Sequence, residues 1–183
     1  MKNRKKWLVL PAGIVLILVA FALIFWRANR EAAKGCEEFL EAFTEQDGGA
    51  AADMLSGGAV GGELRLDGVT GALSSHMSYR VLYPLPAGDG QKKIRVRITN
   101  LDFKRLAEES LPEDLKPEDA LQAVTDAANS PDAPLTSYDV DLCLVKEKEQ
   151  WKIRMTGELS NAILGGYPDY CEELAERAFK EAE

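Results

Sequence analysis

From Trp7 to Trp26 run 20 residues without a charge, WLVLPAGIVLILVAFALIFW. At about 1.5 Å of rise per residue, a helix of this length covers about 30 Å, the thickness of a bilayer's hydrocarbon core. Trp7 and Trp26 stand at its two ends, where amphipathic indoles prefer to sit. Pro11 falls in the first turns, where a missing N–H does little harm. The run has no polar face, so a buried core helix is a poor reading and a transmembrane helix over residues 7–26 is the expectation. Lys2, Arg4, Lys5 and Lys6 precede it, while Arg27, Arg30 and Lys34 follow it mixed with Glu31. The positive-inside rule then puts the basic tail, residues 1–6, in the cytoplasm and the body outside, a single-pass protein of the cell membrane.

Two other fates are written in the same region. Ala20-Phe21-Ala22 matches the small-residue site at which secretory signals are cut, so a secreted protein is the alternative. Leu23-Ile24-Phe25-Trp26 would then become an apolar new N-terminus, which argues for the uncleaved anchor. Lipid attachment at Cys36 fits less well, because Ala33-Lys34-Gly35 places a charge where lipoprotein signals carry small apolar residues.

Charge divides the chain in the same place. Of 183 residues, 30 are acidic and 22 basic, and residues 1–30 hold six of the basic groups and no acid. Residues 31–183 are left with 16 basic against 30 acidic side chains, a balance of −14. A body this negative repels phosphates, so no nucleic-acid partner is expected. With 46% hydrophobic residues the chain is not a disordered one, and a body of this size holds one core.

After the apolar run, Ala32, Cys36, Phe39, Leu40 and Phe43 draw one stripe at helical spacing, with Glu37, Glu38, Glu41 and Glu45 on the other side. Gly48-Gly49 is expected to end this helix, and residues 50–55 to form a short second one. Residues 57–62, GGAVGG, lack the lysine and Ser/Thr that a phosphate loop requires, so they read as a turn. Strand alternation is clear at residues 77–85, where Met77, Tyr79, Val81, Tyr83 and Leu85 share a face, and at 92–101, where Ile94, Val96 and Ile98 do. It returns at Tyr138, Val140, Leu142 and Leu144, then at Trp151, Ile153 and Met155. Two hairpins, each greasy on one face and charged on the other, predict an antiparallel sheet covered on one side. On the charged face, Arg80, Arg95, Arg97, Lys152 and Arg154 meet Asp139 and Asp141. Cross-strand ion pairs are the expectation if the third strand lies beside the second or fourth; an anion-binding patch is the alternative. Between the hairpins, Asp102 caps a helix over 103–111 that Pro112 stops, and a second helix covers Pro117 to Ala128. A short helix over 158–164 ends at Gly165-Gly166, and residues 168–182 make a final amphipathic helix with Cys171, Leu174, Ala175 and Ala178 on one stripe.

The stretches CEEFLEAFTEQDGGAAADML, SYRVLYPL, KIRVRITNLDFKRL and QWKIRMTGELSNAILGGY, in this order, resemble the nuclear-transport-factor-two-like (cystatin-like) superfamily. More narrowly, they resemble small anchored bacterial envelope proteins of that fold, over roughly residues 31–167. The resemblance implies an α+β roll, a curved antiparallel sheet packed by helices, over residues 29–167, with residues 168–183 outside it. It also implies a hollow between sheet and helix, which Phe39, Phe43, Tyr79, Tyr83 and Trp151 would line. Function does not follow from fold, and envelope members mostly lack assigned activities.

The chemistry-bearing residues are sparse. There is one histidine, His76, and the cysteines stand apart at 36, 143 and 171, without CxxC or HxxxH spacing, so no metal and no cofactor is expected. Enzymes of the resembling fold, of the isomerase or dehydratase kind, place Asp, Tyr or His in the hollow; here Tyr79, Tyr83 and Asp102 would be the candidates. Packing tyrosines and a helix-capping aspartate explain the same residues without catalysis. Buried thiols account for the cysteines, with a Cys36–Cys171 bridge clamping first helix to last as the alternative. The expectation is a non-catalytic, membrane-anchored domain outside the cytosol that binds a small apolar ligand or an envelope protein. A cavity enzyme is the alternative, and a homodimer through the sheet a further one.

Overall fold

The stripe of Ala32, Cys36, Phe39, Leu40 and Phe43 is buried along its length. It belongs to a helix, α1 (Arg4–Thr44), that continues from the apolar run into the body as one element. The computed structural model describes residues 4–57, 69–88, 90–111 and 117–181. Lys2, Asp89, Pro112 and residues 58–62 of the glycine run lie outside them, as do the side chains of Trp7 and Leu121. Among the described residues no helix is long and apolar enough to cross a membrane. The side chains of α1 are described from Val15 on, and from there to Trp26 the large apolar ones, Ile17 and Phe21 among them, are exposed, apart from half-buried Phe25.

The end of α1 differs from expectation. Asp47 N–H donates to Ala42 O at 2.8 Å and Gln46 N–H to Phe43 O at 3.2 Å, with Gln46 in the left-handed region at φ 61°. This is the hydrogen-bond pattern in which glycine usually sits. Gly48-Gly49 instead opens the next helix, α2 (Gly48–Asp53), whose N-cap Asp47 accepts from Ala50 N at 2.9 Å. A carboxylate one residue before the glycines captures the free Ala50 N–H and moves the boundary forward.

Next comes α3 (Val69–His76), which sequence reasoning missed; it buries Ala72 and Leu73 and ends at His76. Four strands follow in a meander interrupted by helices: β1 (Ser78–Leu85), β2 (Gln91–Leu101), then α4 (Phe103–Ser110) and α5 (Pro117–Ala128), then β3 (Leu135–Glu147) and β4 (Gln150–Arg154). The sheet is open and antiparallel, in the order β1-β2-β3-β4. Its inner face is Ile94, Val96 and Ile98 against Val140, Leu142 and Leu144, with Ile153 beyond. These pack with Phe39, Leu40 and Phe43 of α1 in the main core. The last helices are α6 (Gly157–Ile163), capped by Thr156, and α7 (Tyr167–Glu181). Leu159, Ala162 and Ile163 bring α6 into the same core. A second cluster, Leu101, Phe103, Leu106 and Val124 with Leu73, is where α3, α4 and α5 meet. The fold is therefore α+β, an open sheet packed by helices.

Both sheet edges are modified. On β4, Ile153 N–H donates to Met54 O and Ser56 N–H to Ile153 O, each at 2.8 Å, so the segment after α2 covers that edge. On β1 the register shifts between Val81, opposite Val96, and Tyr83, opposite Arg95. Leu82 is the extra residue of a bulge, an irregularity that an edge strand absorbs because only one neighbour's ladder is broken. Pro84 just beyond it lacks an N–H, which is tolerated in an edge strand for the same reason.

Candidate functional site

The bulge decides where the strand's aromatic residues go. Tyr79 and Val81 face inward, opposite Ile98 and Val96, but one residue too many then turns Tyr83 to the charged face and leaves it half exposed. The sequence alternation had put Tyr83 and Leu85 on the inner face with Tyr79. After the shift it is Pro84, opposite buried Ile94, that points toward the helix side.

Between this end of β1 and the middle of α1 lies a groove of about 910 Å³. Trp26, Asn29, Arg30, Glu31, Ala33, Lys34 and Glu37 form its helix wall; Val81, Leu82, Tyr83, Pro84 and Ile94 form its sheet wall. Asn29 is nearly fully buried and spends its amide on the Phe25 carbonyl at 2.7 Å. Lys34 is paired with Glu38 at 3.1 Å, one helical turn on. Arg30 has no ion-pair partner among the described residues. Trp26 is exposed and belongs to both features, the end of the apolar run and the wall of the groove.

Of the five residues expected to line a hollow, Tyr83 lines this groove. Phe39 and Phe43 are core residues in mutual contact, ring centroids 6.2 Å apart, and Tyr79 and Trp151 pack against that core. The Tyr79 hydroxyl donates to Glu37 O at 3.4 Å, and its ionisation is pushed up first by burial, then by Glu41, Glu37 and Glu45. A phenol held protonated and spent on a carbonyl is a packing group rather than a poised base.

Asp102 is the N-cap of α4, accepting from Arg105 N at 3.1 Å. Its charge acts on Tyr138, whose ionisation is raised by burial first and by Asp102 and Asp169 after it. The structure thus sets Asp102 near Tyr138 and not beside Tyr79 or Tyr83. A shallower cleft of about 430 Å³ opens beside Tyr138, where Asn161 donates to Asp169 at 2.7 Å. Among the described residues no group of three or more His, Cys, Asp or Glu is placed to hold a metal ion.

The three cysteines are free. Cys36 is fully buried, and burial followed by the charge of Glu37 pushes its thiol up to about 12. Cys143 is half-buried on β3. Cys171 is exposed, as are Leu174, Ala175 and Ala178, so the stripe read along α7 does not reach the core. That helix docks by its start instead: Tyr167 meets the Phe103 ring edge-on, Tyr170 meets it at a tilt, and Lys104 reaches Glu173 at 2.6 Å.

The charged face forms the ladder its spacing predicted. With β3 beside β2, Arg95 Nε meets Asp141 at 2.5 Å, and Arg97 meets Asp139 through Nε at 2.7 Å and Nη2 at 2.8 Å. Thr99 and Ser137 continue the row with a hydroxyl pair at 2.7 Å. Two of the arginines that could have bound an anion are thereby committed within the sheet. No protein-family model matches the chain, and no curated protein matches it.

Proposed function

We propose that this chain is a single-pass membrane protein whose α+β domain stands outside the cytosol, in the cell envelope, and binds a small apolar ligand without turning it over. Residues 7–26 are the anchor, and the basic tail before them stays in the cytoplasm. The observation that carries the reading is the continuity of α1. One helix bears the exposed apolar side chains before Trp26 and the buried stripe from Ala32 on. The groove starts where the first gives way to the second. Its volume falls within the ~300–1,000 Å³ usual for small-molecule sites, and a concave wall that includes Val81 and Leu82 suits an apolar ligand better than a flat protein partner. The absence of catalysis is supported by Asp102 and Tyr79, whose polar atoms are engaged in structure. The likeness to the nuclear-transport-factor-two-like roll agrees with this, since a hollow between helix and sheet is that fold's customary binding place.

Protease added to intact cells that produce the full chain tests the topology. The body should be digested while an N-terminal tag stays protected, and a mature polypeptide beginning after Ala22 would overturn the anchor. Native mass spectrometry of the full chain released from detergent micelles tests the ligand. A bound apolar mass is expected, and Leu82→Trp should remove it by filling the groove. A bare protein after mild extraction would overturn the ligand reading.

A further inference from the structure

We infer that the groove between α1 and β1 holds an anionic lipid of the same membrane, its acyl chain against Val81 and Leu82 and its phosphate on Arg30. This rests on the reading of residues 7–26 as an anchor, and it names the ligand. Arg30 lies four residues beyond Trp26, about 6 Å further along the helix, which is the depth of the head groups if Trp26 marks the edge of the hydrocarbon. It is a groove wall residue, and it has no ion-pair partner among the described residues, whereas its neighbour Lys34 is held by Glu38. Of the acids on the same wall, Glu31 acts on Lys146 of β3, and Glu37, whose charge raises the ionisation of Tyr79, stands about two helical turns beyond Arg30.

Charge complementarity then selects the ligand. On a body that carries −14 beyond residue 30, an uncommitted cation in a groove with an apolar sheet wall is a specific place for an anion, not part of a general field. A soluble apolar ligand would leave that cation unused. A lipid supplies both halves and reaches the groove from the bilayer without crossing water. Arg30 and the apolar wall together match one amphiphile: a chain, then a phosphate.

The full chain in detergent micelles, offered equal amounts of phosphatidylglycerol and phosphatidylcholine, decides the matter by native mass spectrometry of retained lipid. Phosphatidylglycerol should be retained about fivefold over phosphatidylcholine, the weight of one cation near an anionic surface. Arg30→Gln should bring the ratio to about one with phosphatidylcholine retention unchanged, and Arg27→Gln should leave the preference intact. Both substitutions are on side chains outside the core, and circular dichroism of each variant checks the fold. Equal retention of the two lipids, lost together in Leu82→Trp, would overturn the anionic lipid and leave the apolar groove standing. Retention of neither would overturn both. A preference that survives Arg30→Gln removes the phosphate from Arg30, and displacement of the lipid by millimolar inorganic phosphate would make the ligand a free anion instead.

Discussion

Asn100 reaches from β2 to the carbonyl of Ile163 at the end of α6, donating through Nδ2 at 2.6 Å, while its Oδ1 accepts from the Leu101 N–H at 2.8 Å. The side chain is fully buried, so water cannot replace either bond. It ties the sheet to the helix that closes the main core at the point where the second cluster begins. Asn100→Ala leaves a donor and an acceptor stranded and should cost about 1–3 kcal/mol. A lowered urea midpoint with unchanged slope is the expected signature, and an unaltered midpoint would show that the network contributes nothing net.

Gly165 is required by space as well as by backbone. It holds φ +60°, and a Cβ there would stand 2.3 Å from the Leu101 carbonyl oxygen and 3.0 Å from Leu73. The Gly165 carbonyl also accepts from Phe103 N at 2.9 Å, so the turn cannot shift without disturbing the start of α4. Gly165→Ala should cost about 2 kcal/mol or more, whereas Gly88→Ala, with open space around it, should stay within about 0.5 kcal/mol. Equal effects in thermal melts would contradict the close approach.

Cys36 makes stability fall in alkali. Its thiol ionises at about 12 in the folded chain against 9.0 ordinarily, so between those values the unfolded chain has lost a proton that the folded chain keeps. Stability from this group is present below pH 9 and declines as pH rises toward 12. Cys36→Ala should flatten the decline by up to one proton's slope, measured by denaturation at several pH values. In native protein near pH 8, alkylation should reach exposed Cys171 and spare Cys36 until the chain is unfolded.

Asp139 should titrate below the ordinary carboxylate range. The hydrogen bonds from Arg97 are the main cause, with the charges of Arg97 and Arg95 assisting and partial burial opposing. The sign follows: the contribution is present above the ordinary carboxylate range and disappears as pH falls through the depressed value. An NMR titration of the Asp139 carboxyl carbon should shift upward in Arg97→Gln. An identical midpoint in the two proteins would mean that the pair is not formed in solution.

Some of these features could be read along the chain because they obey rules that act within a few residues. Alternation of period two placed Ile94, Val96 and Ile98 on the inner face, helical spacing placed the α1 stripe, and Asp102 announced α4. The charge ladder was legible once β3 was set beside β2, since Arg95 and Arg97 share parity with each other and meet Asp141 and Asp139 in register. α3 was not legible: Thr70, Gly71, Ser74 and Ser75 are weak helix formers, and the burial of Ala72 and Leu73 in the second cluster holds a helix that propensity does not call for.

The candidate site was the least legible part. Sequence alone determined that Trp26 ends an apolar run, that Arg30 and Lys34 follow it on a helix, and that residues 77–85 alternate as a strand does. Only the tertiary structure decided that Leu82 would bulge, that Tyr83 would leave the inner face, and that Phe39 and Phe43 would fill the core instead of a hollow. The reason is physical. Periodicity records which side chains avoid water, a property of each residue and its near neighbours. A bulge and a groove depend on which strand is left without a second partner and on how closely a helix approaches it, and those are set by contacts between residues far apart in the chain.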